Sequence, residues 1–314
     1  MIYNAWSRRQ IVVSRTTEPA LLLLDKAASL SSRKAGGQAA RHLGVKKYGH
    51  LGTLDPFATG ILPVMLGRAT RLAQYLPQVP KGYAAEICLG ASTTTDDVDG
   101  EVVETADIPS YDSDALEQAA QAFTGEIRQR PPAFSAIRVD GQRAYKRARR
   151  GEAVEVPERD VSVYELRLRG VSRDRLALDV VCGSGTYIRS LARDIGLFLG
   201  TRAHLTRLRR TRVGAWGLED TAPLDAMPER GVIGMKEALA LCGQEVHLPG
   251  EAQRYLRQGK PLANLEPLNG LPHGRYSVFC GLQAVALVES DSAGGWRYCL
   301  VLPEADHRER FLGG

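Results

Sequence analysis

The stretch His50-Leu51-Gly52-Thr53-Leu54-Asp55-Pro56-Phe57-Ala58-Thr59-Gly60 is the part of the chain from which the rest is best read. It is too rich in Gly, Pro, Thr and Asp for regular structure. Gly52 and Gly60 permit tight backbone paths. Pro56 fixes its own φ and pushes Asp55 toward an extended conformation. A carboxylate in such a loop is positioned rather than mobile. Local chemistry leaves Asp55 two uses: closing an Asx turn or helix cap, or meeting a ligand.

Working outward, Leu21-Leu22-Leu23-Leu24-Asp25-Lys26 reads as a short buried strand, and Ser31-Ser32 offers cap oxygens for a helix through Arg41, which Gly36-Gly37 weakens. Downstream, Ala69 to Tyr75 has a helical pattern and Tyr83 to Leu89 alternates as a strand. Asp96-Asp97-Val98-Asp99-Gly100 makes a turn. Asp114 to Phe123 has an acidic start, helical spacing and Gly125 just past its end. Val161 to Leu168 and Arg175 to Cys182 are strand-like, Gly185 to Leu199 is a turn entering a helix, and 223–242 is helical. Tyr276 to Phe279, Gln283 to Glu289 and Trp296 to Leu302 are short alternating runs that suggest a small β-rich, barrel-like module. Strands and helices are segregated without regular βαβ alternation, so the class is α+β. The expected organisation is a basic leader over 1–18, a main domain over 19–245 and a smaller one over 246–314.

Composition narrows the functions. The 314 residues suit two domains at about 100–200 residues each. With 44% hydrophobic and 25% charged residues, the chain reads as an ordinary globular protein. The longest apolar run, Ala20 to Leu24, falls far short of the roughly 18 residues of a membrane span. Residues 1–15 lack the apolar core of a signal peptide, so a cytoplasmic protein is expected. Cys88, Cys182, Cys242, Cys280 and Cys299 form no C-x-x-C pair and the histidines are dispersed, so no metal site is expected. Residues 246–314 hold seven basic and seven acidic side chains, so the net charge of +5 lies entirely before them. An anionic partner is therefore expected to meet the main domain.

Three further stretches carry chemistry. Cys182-Gly183-Ser184-Gly185-Thr186-Tyr187-Ile188-Arg189-Ser190-Leu191 lies where a strand gives way to a helix, but fits neither common nucleotide-binding pattern. Arg189 in the first helical turn is poorly placed for the helix dipole; it is either solvated or held by a buried carboxylate. Arg138 to Arg150 contains Arg138, Arg143, Lys146, Arg147, Arg149 and Arg150 against one Asp140, and Thr201 to Arg212 contains Arg202, Arg207, Arg209, Arg210 and Arg212 with no acid. Two unbalanced basic runs with Phe134 and Tyr145 nearby fit a nucleic-acid backbone better than an ordinary solvated face. The segment 129–157 reads as a candidate mobile arm.

Taken together, these pieces resemble the bacterial TruB family of tRNA pseudouridine synthases. The resemblance covers about residues 20–225 and, faintly, the C-terminal module. It rests on LLLLDK at 21–26, GHLGTLDPFATGILPVMLGRATR at 49–71, KGY at 81–83, DDVDG at 96–100, PPAFSAIRVDGQRAYKRARRGE at 131–152, CGSGTYIRSLARDIG at 182–196 and AHLTRLRRTRVG at 203–214. Two features depart from the family pattern: the uncharged run Ala91 to Thr95 and the long basic leader.

The resemblance implies a pseudouridine synthase fold, a mixed and largely antiparallel sheet flanked by helices, with a C-terminal PUA-like RNA-binding domain. It implies detachment of uracil from ribose C1′, rotation, and reattachment through C5, without metal or redox cofactor. Asp55 matches the essential aspartate, as nucleophile or as base for the ribose 2′ proton. Arg189 matches the arginine paired with it. Tyr83 matches the tyrosine that stacks on the base, Tyr187 a second pocket residue, Leu208 the apolar wall and His50 the support of the extruded nucleotide. Asp97 matches an acidic orienter, and Lys81 a phosphate contact or ion-pair partner. The implied substrate is the T-arm of tRNA with uridine 55 as target. The arm with Arg147, Arg149 and Arg150 would close over the RNA, and Arg207, Arg209 and Arg210 would lie under its backbone. A monomer needing no protein partner is expected.

Overall fold

In a computed structural model, the protein is described over residues 19–134, 156–226 and 231–303, with the backbone of 138–139 and 142–143. The expected leader 1–18 and the expected RNA contacts Arg147, Arg149 and Arg150 lie outside these residues. The strands are β1 Pro19–Lys26, β2 Tyr48–His50, β3 Thr59–Leu66, β4 Lys81–Leu89, β5 Ala91–Thr93, β6 Val102–Thr105, β7 Gly125–Gln129, β8 Arg138–Val139, β9 Gln142–Arg143, β10 Arg159–Ser172, β11 Arg175–Cys182, β12 Ala203–Val213, β13 Trp216–Gly217, β14 Val232–Gly234, β15 Gln244–Leu248, β16 Gly274–Cys280, β17 Gln283–Ser290 and β18 Trp296–Val301. Ten of them form one sheet in the order β14-β1-β3-β12-β4-β11-β10-β7, with β2 added to β3 and β13 to β12. Every pairing is antiparallel except β3 with β12. The class is α+β.

The leucine run of β1 shows why the sheet has two covered faces. Leu22 and Leu24 enter one core, while Leu21 and Leu23 enter another. Side chains alternate along a strand, so a continuous apolar run means burial on both sides. On the first face lie three helices: α1 (Ser32–His42), α2 (Ser113–Ala122) and α3 (Ile188–Phe198). Ser31 and Asp112 cap α1 and α2 by accepting from Lys34 N and Ala115 N. Gly37 keeps α1 close to β2: a side chain there would come within 2.7 Å of the Tyr48 hydroxyl.

On the second face, a four-stranded sheet of order β15-β16-β17-β18 packs against β1 and β3. Phe279, Leu287, Leu300 and Leu302 share a core with Leu21, Leu23, Ile61 and Met65. Arg71 and Tyr75 add hydrogen bonds to the Val301 and Cys299 carbonyls at 2.8 and 3.0 Å.

Three stretches differ from the sequence reading. Ala69 to Tyr75 forms a shorter 3₁₀ helix, Gly67–Leu72, which buries Ala69 and Leu72 at the three-residue spacing of that helix. Among the described residues of 223–242, an α-helix forms over Met235–Ala240 and a single 3₁₀ turn over Leu224–Ala226, while Val232 and Ile233 pair with β1 instead. The basic run 201–212 lies, from Ala203 on, in β12, a central strand. A bulge at Thr206, where the pairing register with β4 shifts, hides its period-two pattern.

Candidate active site

The Asp55 loop joins β2 to β3. Its turn is closed by the main chain, with Ala58 N donating to Asp55 O at 3.2 Å. The side chain is thereby free to leave the loop. Asp55 Oδ2 lies 3.0 Å from Arg189 Nε, and Arg189 Nη2 donates to Asp55 Oδ1 at 3.3 Å. The Nε approach is an ion-pair contact rather than an aligned hydrogen bond. Asp55 is therefore held in a charge pair, not in an Asx turn. Gly60, at φ +99°, closes the loop where β3 meets β12; a side chain there would strike the Arg210 carbonyl oxygen at 2.2 Å.

Arg189 is 5% exposed, so the solvated alternative does not apply. Its Nη1 lies 3.3 Å from Asp97 Oδ2 and donates to Thr95 O at 2.8 Å; Nη2 also donates to Phe134 O at 3.1 Å. These acceptors offset an otherwise unfavourable cation in the first turn of α3. Asp97 accepts from Thr95 Oγ1 at 2.5 Å and from Asp99 N at 3.0 Å. Burial pushes its carboxyl above the usual range, against those bonds and Arg189.

Two buried polar side chains fix the loop from behind. Ser32 Oγ accepts from Leu54 N at 2.8 Å and donates to Leu54 O at 2.9 Å. Lys26 Nζ donates to Ala27 O, Leu30 O and Pro56 O at 2.8, 2.6 and 3.1 Å. Burial pulls the Lys26 ammonium down to about 8, partly opposed by the Asp55 charge. The residues on both sides of Asp55 are thus clamped. Neither clamp was singled out from sequence. The signal for Lys26 is its place two residues after Leu24, on the face that Leu22 and Leu24 bury.

Asp55 opens into a cavity of about 320 Å³ lined also by Lys81, Tyr83, Tyr187, Leu208 and Arg210. That volume falls within the range of small-molecule sites, about 300–1,000 Å³. Burial raises the Tyr83 phenol, opposed by the Arg210 charge. Burial, then Arg210, lowers the Lys81 ammonium. Tyr187 is placed by Gln129, whose amide donates to Tyr187 O at 3.1 Å and accepts from Tyr187 N at 2.8 Å. The Arg159 guanidinium lies over the Tyr187 ring, 5.0 Å from its centroid. The sequence reading names neither Gln129, which opens the candidate arm 129–157, nor Arg159, which lies just beyond it at the start of β10. A second cavity of about 800 Å³, bounded by Ser29, Phe57, Asp99 and Arg207, shares Leu208 with the first.

His50 and Asp97 stand one layer back. His50 Nε2 is 3.2 Å from Thr53 Oγ1, and Thr53 lines the cavity. Burial, then Arg210, lowers the His50 imidazole. The β12 arginines divide. Arg207 is exposed. Arg209 makes a two-bond pair with Asp25 at 2.7 and 3.0 Å. Arg210 departs from the expected surface contact: it is 1% exposed, its Nε donates to Ile61 O at 2.8 Å, and it faces the cavity. Strand alternation turns 208 and 210 inward together. Among the described residues, no cluster of three His, Cys, Asp or Glu side chains could hold a metal ion, and no helix is long and apolar enough to cross a membrane.

Residues 40–188 match the N-terminal domain of the TruB family pseudouridylate synthases, and residues 189–229 match the tRNA pseudouridylate synthase B C-terminal domain. A curated relative, tRNA pseudouridine synthase B of Thermobifida fusca (strain YX), is 46% identical over 246 residues, covering 75% of this chain and 84% of the relative. The chain belongs to the TruB family of pseudouridylate synthases. A further TruB-family relative, tRNA pseudouridine synthase B of Xylella fastidiosa (strain Temecula1 / ATCC 700964), is 45% identical over 209 residues, covering 67% of this chain and 69% of its own. Among solved structures, a chain of a Cbf5-Nop10-Gar1 complex superposes with a TM-score of 0.63 at 26% identity, over 88% of this chain and 80% of that one. A chain of an H/ACA RNP bound to a substrate RNA containing 2′-deoxyuridine gives 0.63 at 25%, over 87% and 78%. The two TruB-family segments meet between Ile188 and Arg189, so the Asp55–Arg189 pair joins one segment to the other.

Proposed function

We propose that this protein isomerises uridine 55 in the T-loop of tRNA to pseudouridine, with Asp55 as the essential group. The observation that carries this reading is the Asp55–Arg189 pair at the wall of a small cavity that Tyr83, Tyr187 and Leu208 complete. The identity to proteins named tRNA pseudouridine synthase B supports tRNA as the substrate.

The uridine leaves its stack and enters the cavity, where aromatic and apolar side chains offset an unstacking cost of a few kcal/mol. Arg189 orients the Asp55 carboxylate through two contacts. Asp55 then serves one of two routes. As nucleophile, it attacks ribose C1′ and the C1′–N1 electron pair leaves with uracil. As base, it takes the 2′ proton, and the C2′–H electron pair expels uracil as a glycal forms. The uracil rotates and C5 bonds to C1′; in the first route this breaks the Asp55–C1′ bond and frees the carboxylate, and in the second the proton held by Asp55 returns to C2′. The C5 proton is then lost and N1 takes up a proton. Tyr83, which lines the cavity, stacks on the ring and assists that loss in this reading. Lys81 and Arg210 supply positive charge as uracil carries the departing electron pair. The protein acts in the cytoplasm, as a monomer and without a protein partner. Its domains are a leader over 1–18, the catalytic domain over 19–245 and a PUA-like domain over 246–314.

The test is tritium release from tRNA labelled as 5-³H-uridine, with no other protein added. Release is expected with wild type, and neither with Asp55→Asn nor with a tRNA lacking the T-loop uridine. Release from the latter tRNA would move the target elsewhere. Tight tRNA binding without release would leave an RNA-folding role.

A further inference from the structure

Arg189 and Arg193 stand one turn apart on α3, and each meets one of two successive aspartates. Arg189 Nη1 is 3.3 Å from Asp97 Oδ2, and Arg193 Nη1 is 3.0 Å from Asp96 Oδ2. Asp96 has φ +59°, in the left-handed region that few non-glycine residues occupy. Its amide donates to Thr93 O at 3.2 Å and its carbonyl accepts from Leu205 N at 3.1 Å, so the backbone cannot swing away. The carbonyl just before it, on Thr95, accepts from Arg189.

The Asp96 side chain is 13% exposed. Burial raises its carboxyl, and Arg193, then Arg189, oppose the rise. Asp96 thus lies in the field of the guanidinium that holds Asp55. Arg193 is itself anchored: its Nε is 2.9 Å from Asp194 Oδ1, and its Nη2 donates to Arg130 O at 2.9 Å.

Four carboxylates, on Asp55, Asp96, Asp97 and Asp194, therefore face two guanidiniums. Arg189 already divides its donors among Asp55, Asp97, Thr95 O and Phe134 O. A guanidinium has five N–H donors in a fixed fork. Without Arg193 the mostly buried Asp96 carboxylate would lose its ion-pair partner, and Arg189 already holds the residues on either side of it, Thr95 O at 2.8 Å and Asp97 Oδ2 at 3.3 Å. The two carboxylates would then compete for one fork.

We infer that Arg193 is a positioning residue that neutralises Asp96 and so reserves Arg189 for Asp55. In its rate readout the inference rests on the proposed reaction. It makes an unusual demand on mutants: deleting the acid must repair the loss of the arginine. A residue that only packs α3 would show no such repair.

The experiment compares wild type, Arg193→Met and the double variant Asp96→Asn/Arg193→Met. It reads kcat and KM for tRNA by tritium release. It also reads the ¹³Cγ resonance of Asp55 in free protein labelled at aspartate, assigned by its absence from Asp55→Asn. Arg193→Met is expected to slow kcat about tenfold or more, since a small misplacement of a catalytic group is enough. KM should stay within about twofold, because no binding contact is removed. The Asp55 resonance should move. The double variant should recover most of the rate and the wild-type resonance. A double variant as slow as Arg193→Met, or an Asp55 resonance unmoved by Arg193→Met, would overturn the inference. Failure of wild type to release tritium would instead overturn the proposed reaction, and the Asp55 resonance would still decide the role of Arg193.

Discussion

The Ser32 hydroxyl closes a two-way hydrogen bond with Leu54, taking its amide at 2.8 Å and giving to its carbonyl at 2.9 Å. Helix α1 thereby holds the residue just before Asp55 the way a neighbouring strand would. Ser32→Ala leaves both Leu54 groups buried and unpaired, at a cost of about 1–3 kcal/mol each before relaxation. We expect urea unfolding to show a loss of roughly 2 kcal/mol. The loosened loop should also lower kcat at unchanged tRNA KM. A Ser32→Ala protein with wild-type kcat would show that the clamp does not position Asp55.

Arg189→Lys keeps the charge and removes the fork. Lysine cannot reach Asp55, Asp97, Thr95 O and Phe134 O together, since it offers one compact ammonium. The rate should fall by about 100-fold, the scale of a misaligned catalytic group. Binding of tRNA to a filter should change little. A rate within a few-fold of wild type would mean that charge alone, and not orientation, is what Asp55 needs.

The site was legible where motifs are local and hidden where it depends on distant partners. The Asp55 loop, the α3 entry and the strand bearing Tyr83 announce themselves by turn residues and alternation. Arg189 was readable as an anomaly, because a cation in a first helical turn calls for an acid. Its partner sits 134 residues away, however, and no local pattern gives that distance. Arg210 went astray for a related reason: a run of arginines looks like a surface until the bulge at Thr206 assigns alternate residues to opposite faces. The strand at Val232–Gly234 is hidden because its pairing with β1 outweighs the weak helical propensity of that stretch.

Lys26 gives a pH signature. Its ammonium is held at about 8 in the fold against 10.5 ordinarily. Between those values the unfolded chain keeps the proton and the folded chain releases it. Stability therefore rises with pH across that window, whereas below about 8 the burial of the charge is a full penalty. Lys26→Met removes this dependence. Wild type should gain up to roughly 3 kcal/mol relative to Lys26→Met between pH 8 and 10.5. Urea titrations of both proteins across that range measure it. Parallel pH profiles would mean that the Lys26 proton is not coupled to folding.

The C-terminal sheet should not unfold by itself. Leu287 is completely buried in the core it shares with Leu21, Leu23 and Ile61 of the ten-stranded sheet. Arg71 and Tyr75 tie the same two sheets through the backbone of β18. Losing the small sheet would expose one face of β1, whose other face supports α1 and the Ser32 clamp. Leu287→Ala should cost about 2–5 kcal/mol, the usual penalty for a cavity at a fully buried leucine. That cost should appear in the unfolding of the whole molecule. Calorimetry should therefore show one transition for wild type and one, shifted down, for Leu287→Ala. Circular dichroism and the fluorescence of Trp216, which lies in the shared core, should report the same midpoint. A separate low-temperature transition that leaves the ten-stranded sheet intact would show that the shared core is not what holds the two sheets together.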